Sequence, residues 1–200
     1  YGPSRTGKST YERLMKSVAG QRNTSALTLH QLVNDRFAPA GLFGMVLNCA
    51  ADLSSRHIDD VSQFKALTGG DLVQAERKYG QPFAFVNCAL FVFSANEIPS
   101  VSESSRAYEE RVKPFRFDRT FIGREDPAIE EALMLELPGI FVRWVSALQR
   151  LRGRGQHLPT RHDVSEEFGQ RSDRVKAFLS EWTVPDEKGI TRNRLYSAYV

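Results

Sequence analysis

The chain has 200 residues, with 27 Lys and Arg against 24 Asp and Glu, a formal net charge of +3 and a pI near 9.0. That length buries one substantial core with room for a small appendage, and so mild a basicity fits nucleic acid without demanding it. Cys49 and Cys88, both in apolar runs, are too few and too badly spaced for a disulfide framework or a zinc site; they read as buried thiols of a reducing compartment. No apolar run approaches membrane-spanning length and no signal peptide is visible, so a cytoplasmic location is expected.

The first ten residues, Tyr1-Gly2-Pro3-Ser4-Arg5-Thr6-Gly7-Lys8-Ser9-Thr10, read G-x-x-x-x-G-K-[ST] from Gly2 to Ser9. This is the pattern of a phosphate-binding loop. Its glycines let the backbone curl until successive N–H groups face phosphate oxygens at the positive end of the following helix. Lys8 is placed to neutralise the β and γ phosphates, Ser9 to offer its hydroxyl to Mg²⁺, and Thr10 to sit near the α phosphate. Tyr11, Leu14, Met15 and Val18 recur at helical spacing, with Gly20 as a stop. The hydrophobic strand that belongs before such a loop is absent and no initiator Met precedes Tyr1, so a piece cut at the end of its first strand is expected.

Further on, Leu29, Leu32 and Val33 mark a short second helix, broken by Pro39, Gly41 and Gly44. Residues 45–52 form an apolar run that ends in Asp52. A continuous run of this kind suits a strand covered on both faces, as in a parallel sheet, whose ligands bind beyond the carboxyl ends of the strands. Asp52 is then either a Mg²⁺ partner or a turn acid, and alone it fits the turn better. Asp59 and Asp60 precede a short helix over 61–67. Glu76-Arg77-Lys78-Tyr79-Gly80-Gln81-Pro82 reads as the tip of a hairpin or loop between extended runs. Its mixed basic and aromatic character suits either a nucleic-acid backbone or a solvated turn.

Residues 83–95 are the most apolar stretch, and a second buried strand there is expected to end at Asn96, before Glu97-Ile98-Pro99. Asn96 fits a water-holding, γ-phosphate-sensing amide, or the start of a turn before Pro99. A short helix over 105–112 and an extended run at Pro114-Phe115-Arg116-Phe117 follow. From Asp126 the composition changes to helical segments. One begins at Asp126-Pro127, one runs from Pro138 through Ile140, Phe141, Trp144, Leu148 and Leu151, others open at Pro159-Thr160 and Ser172, and residues 190–199 fit a short strand pair or a helix.

Taken together, the phosphate loop, the acid-ended strand at Asp52, the asparagine-ended strand at Asn96 and the arginines after it resemble superfamily 3 helicases, the ring-forming AAA+ ATPases of viruses, phages and plasmids. More closely, Ala66-Leu67-Thr68-Gly69-Gly70-Asp71, Ala75-Glu76-Arg77-Lys78, Phe93-Ser94-Ala95-Asn96-Glu97-Ile98-Pro99 and Leu137-Pro138-Gly139-Ile140 resemble the helicase part of phage/plasmid and poxvirus-type primase-helicases. The resemblance implies an α/β P-loop NTPase of AAA+ type, with a mainly parallel central sheet flanked by helices. It places an ATPase core at residues 1–125, lacking its first strand, and a helical or winged-helix unit at 126–200.

It also implies roles. Gly2 to Thr10 would bind ATP, Ser9 and Asp52 would hold Mg²⁺, and Asn96 would polarise water. Arg111, with Arg106 as the rival candidate, would reach the γ phosphate of a neighbouring subunit in a hexamer. Lys78 and Tyr79 would track single-stranded or forked DNA. Ala51 stands where many relatives carry a second acid, which leaves the general base open, with Asp60 and Glu97 only loosely placed for it. The implied setting is a mobile-element replication protein of the bacterial host cytoplasm, with a primase domain upstream. A small-molecule P-loop kinase, which normally needs an arginine-rich lid, and a non-enzymatic DNA-binding or assembly remnant are the alternatives.

Overall fold

The computed structural model describes residues 1–51, 53–101, 106–155, 162–184 and 189–199. Helix α1 (Lys8–Ala19) follows the loop of residues 2–7 directly and stops at Gly20, whose positive φ of 84° no β-carbon favours and whose N–H bonds to the Lys16 carbonyl. A 3₁₀ turn (Gln21–Asn23) leads into the two-residue strand β1 (Thr24–Ser25). Helix α2 (Leu29–Asn34) starts from a capping box in which Thr28 and Gln31 satisfy each other's backbone N–H. After a 3₁₀ turn (Ala38–Leu42) come β2 (Leu47–Ala50), α3 (Ser62–Gly69), β3 (Leu72–Ala75), β4 (Phe83–Val86), β5 (Leu90–Phe93) and α4 (Arg106–Arg111). The described residues from 126 onward are helical or connecting: α5 (Ile129–Leu135), α6 (Leu137–Gly153), α7 (His162–Ser172), α8 (Arg174–Trp182) and α9 (Arg192–Tyr199). No helix among the described residues is long and apolar enough to cross a membrane.

The architecture is mixed α/β, with a small parallel sheet in the order β1-β2-β5 and a separate antiparallel pair β3-β4. Every residue of β2 is buried, as its unbroken apolar run requires for the central strand of such a sheet. The apolar stretch over 83–95 divides in two. Its first half pairs antiparallel with β3, making the expected hairpin with residues 76–82 at its tip, and its second half becomes β5 beside β2. β5 is only half covered, with Leu90 61% exposed, so the buried strand expected there is corrected: among the described residues β2 alone flanks it as a full strand, at the outer position of the order β1-β2-β5. Cys88 is exposed in the connection between β4 and β5, contrary to its apolar neighbourhood in sequence. Cys49 is fully buried in β2, and that burial, with the negative charge of Glu12 nearby, pushes its thiol up to about 11.

Two apolar clusters hold these pieces. One joins Leu32, Leu42, Leu67, Val73 and Phe85 between the sheet, α3 and the hairpin. The other joins Leu29, Ile58, Val61, Phe64, Tyr108 and Phe168; the Tyr108 ring lies 5.8 Å from that of Phe64 and 6.1 Å from that of Phe168, so it ties α4 to both α3 and α7. Within the apolar β2 run, Asn48 is wholly buried. Its Oδ1 accepts from Ser25 Oγ and Leu27 N, and its Nδ2 donates to Leu27 O, each at 2.8 Å. Replacing it leaves three polar groups without partners. Asn48→Leu should therefore destabilise the protein by roughly 3 kcal/mol despite the apolar surroundings, which urea unfolding measures directly.

Candidate functional site

The loop over residues 2–9 is fixed by its neighbours before it meets any ligand. Gly2 N donates to Ala95 O (3.2 Å), just past β5, while the nitrogen of Tyr1 donates to Phe115 O (2.7 Å) and Phe117 N donates to Tyr1 O (2.8 Å). Tyr1 and Gly2 thus run between the end of β5 and the extended residues 115–117. Gly2 has φ +143°, and a β-carbon there would lie 2.3 Å from the Phe117 carbonyl oxygen. Only glycine fits so close to a backbone atom. Pro3, Ser4 and Arg5 are exposed, whereas Thr6 turns inward and donates from Oγ1 to Pro3 O at 3.0 Å. Gly7 caps α1 in the left-handed region (φ 87°) with open space around it.

Lys8, the first residue of α1, folds back over this curl. Its Nζ donates to Gly2 O and Pro3 O, both at 2.6 Å, and to Asn96 Oδ1 at 3.2 Å. The structure therefore brings together two residues 88 positions apart, the loop lysine and the asparagine beyond β5. A half-buried ammonium beside an exposed amide, at the carboxyl end of a parallel strand, provides a cation and a neutral hydrogen-bonding group on one spot. The hydroxyl of Ser9 is exposed on the first turn of α1, and Thr10 is half-buried beside it. This donor set fits a phosphate chain: a lysine ammonium, a curled backbone at a helix N-terminus and an exposed hydroxyl of the kind an oxygen-seeking Mg²⁺ takes.

The other expected residues stand differently. Asp52 lies outside the described residues; its neighbours in the chain are held alongside Ser94, through Ser94 N to Ala50 O (3.2 Å) and Leu53 N to Ser94 O (2.7 Å). Arg111 ends α4, and its Nη1 donates to Ala107 O (2.6 Å) on its own helix rather than to the Lys8–Asn96 pair. Arg106 opens α4, with its side chain outside the described set. Lys78 and Tyr79 crown the β3–β4 hairpin. Tyr79 is 95% exposed with φ 65°, and the Lys78 ammonium lies 5.3 Å from its ring. Below them Arg77 stacks over Phe83 (5.6 Å), and Glu76 pairs with Arg36.

Two features gave no signal in the sequence. Arg5 adopts φ 56°, a left-handed backbone that costs a non-glycine residue about 1–2 kcal/mol. Its Nη1 donates to Glu125 Oε1 at 2.6 Å, and its carbonyl accepts from Phe121 N at 2.9 Å. Hydrogen bonds from its own backbone N–H and then from Arg5 hold the Glu125 carboxyl below the usual range. A partner 120 residues away leaves no local pattern to read.

The model of a family described as a family of unknown function (DUF5906) matches residues 1–111. No curated protein matches the chain. Two solved structures of the NrS-1 C-terminal region, both described as an A form apo structure, are similar in fold. One, covering residues 305–718 of that protein, has a TM-score of 0.53 at 17% identity over 70% of this chain and 33% of its own; the other has 0.55 at 16% identity over 100% and 40%. The chain therefore spans well under half of either structure.

The crowding at Gly2 and the open space at Gly7 separate two roles for glycine in one loop. Gly7→Ala should cost about 1–2 kcal/mol, while Gly2→Ala, which must displace the Phe117 backbone, should cost distinctly more. Chemical unfolding of the two variants side by side gives the comparison.

Proposed function

The chain belongs to DUF5906, a family of unknown function, and we propose that it is the ATP-driven helicase motor of a mobile-element replication primase-helicase. The observation that carries this reading is the meeting of Lys8 and Asn96 at 3.2 Å on a phosphate-loop curl. A small-molecule kinase would also use the lysine. The amide beside it, just beyond the strand that follows a hairpin tipped with lysine and tyrosine, is what favours a motor. The fold likeness to the NrS-1 region is compatible with it.

In this reading Lys8 moves from the Gly2 and Pro3 carbonyls onto the β and γ phosphates of ATP. The loop N–H groups hold the same oxygens, and Asn96 orients the water that attacks the γ phosphorus in line as the bond to the β-phosphate oxygen breaks. Mg²⁺, when bound through Ser9 and Asp52, supplies charge neutralisation to the phosphates. Arg111 bonds to Ala107 O on its own helix and makes no hydrogen bond to Lys8 or Asn96 among the described contacts. Its role is therefore assigned to the γ phosphate of an adjacent subunit in a homo-oligomeric, hexameric ring, where its planar fork spreads charge over the transferring group.

The hairpin connects this chemistry to DNA. β4 runs from the tip at Lys78 and Tyr79 into residues 87–89, then β5, then Asn96, one short continuous path between the nucleotide and the strand contact. Residues 1–125 act as the motor core and 126–200 as a helical unit resting on it, with a primase upstream in the full-length protein.

The test is ATP hydrolysis by the assembled full-length protein with single-stranded DNA. We expect DNA-stimulated turnover that falls at least a hundredfold in Lys8→Ala, as for removal of a main electrostatic contact. Mixing Arg111→Ala with Asp52→Asn subunits should restore part of the activity, because an intact half-site from each chain then meets at some interfaces. Turnover that survives Lys8→Ala would sink the motor reading, and no recovery at any mixing ratio would confine each site to one chain.

A further inference from the structure

We infer that Arg5 couples nucleotide binding to the segment 121–125: Glu125 holds the Arg5 guanidinium aside, and the phosphates of a bound nucleotide take Glu125's place. The inference rests on the nucleotide reading above and adds regulation of that same loop.

Its first support is the mismatch between backbone and side chain at Arg5. A left-handed φ of 56° suits glycine, or asparagine and aspartate, so a long cationic side chain there serves its charge and not the turn. Its second support is where that charge lies. The Arg5 side chain is 65% exposed and that of Glu125 46%, so a solute reaches both, and an exposed pair of this kind is weakly held. A polyphosphate on the loop offers more negative charge than one carboxylate, with oxygens spaced for a bidentate guanidinium contact.

The third support is the architecture on the Glu125 side. Phe121 N bonds to Arg5 O, and Arg124 N bonds to Phe121 O (2.8 Å), which closes a tight turn through Gly123 (φ 72°) with open space around it. Just beyond, Arg13 of α1 pairs with Glu130 of α5. Residues 121–125 are therefore pinned to the loop at Arg5 and followed by a helix separately pinned to α1. Loss of the Arg5–Glu125 contact removes one of the two ties between this turn and the loop, leaving only the Phe121 N to Arg5 O bond, while α5 stays held through Arg13. Occupancy of the phosphate loop is thereby reported to the start of the C-terminal helices through one side chain.

The experiment titrates the full-length protein with Mg²⁺ and ATPγS by calorimetry and follows hydrogen exchange of a peptide spanning residues 119–125. It compares wild type, Lys8→Ala, Arg5→Gly and Glu125→Gln. Glu125→Gln, which loosens the competitor, should bind ATPγS several-fold more tightly. Arg5→Gly should bind several-fold more weakly with unchanged or raised thermal stability, since glycine relieves the backbone. In wild type ATPγS should speed exchange of the 119–125 peptide as a whole, because one of its two ties to the loop is lost, and in Arg5→Gly it should leave that exchange unaltered. If Lys8→Ala loses binding while Glu125→Gln binds no more tightly than wild type and exchange at 119–125 ignores nucleotide, the coupling is wrong and the phosphate-loop reading stands. If wild type binds no nucleotide, or Lys8→Ala binds as well as wild type, the phosphate-loop reading fails and the coupling with it.

Discussion

The structure depends on a close approach between two backbones. Gly2 passes so near the Phe117 carbonyl that no side chain fits, while its N–H is taken by Ala95. Residues from three distant parts of the chain thus meet within one peptide length. The loop's curl begins where β5 ends, so Lys8 can fold back and find Asn96. Were Gly2 to move outward by the width of a methyl group, the loop would lose its register against the strand that carries the amide. The geometry of this loop comes from rigid backbone contacts rather than from its charged groups.

The same contact explains what could be read from sequence. The loop motif and the helical spacing after it are local, so α1 and its stop at Gly20 appear where they are expected. The apolar run before Asp52 becomes the fully buried β2, because a strand covered on both faces has no polar alternation to hide it. The basic and aromatic run at 76–82 becomes a hairpin tip for an equally local reason, since turn residues separate two extended segments. These are elements whose pattern lies within a dozen residues.

What escaped reading is non-local or lies at a margin. The run over 83–95 has one composition but two fates, and only the pairing partners, β3 on one side and β2 on the other, divide it. Cys88 falls at that division and is exposed, although its neighbours in sequence match those of a buried thiol. Asn48 looks like an interruption of an apolar strand and is instead a buried clamp on Leu27. Glu125 and Arg5 meet across 120 residues. Of the candidate site, the loop and Asn96 are brought together, Arg111 stands on its own helix, and Asp52 lies outside the described residues.

In the proposed motor Lys8 and Asn96 meet at one γ phosphate. Comparing the affinities of ATPγS and ADP for Asn96→Ala against wild type isolates it, because only ATPγS carries the group that Asn96 would touch. A hydrogen bond to a charged group contributes about 1.5–3 kcal/mol, so the variant should lose roughly tenfold or more in affinity for ATPγS and keep its affinity for ADP. Equal losses for both nucleotides, or no loss for either, would contradict the shared site and leave the 3.2 Å contact as a packing feature of the loop.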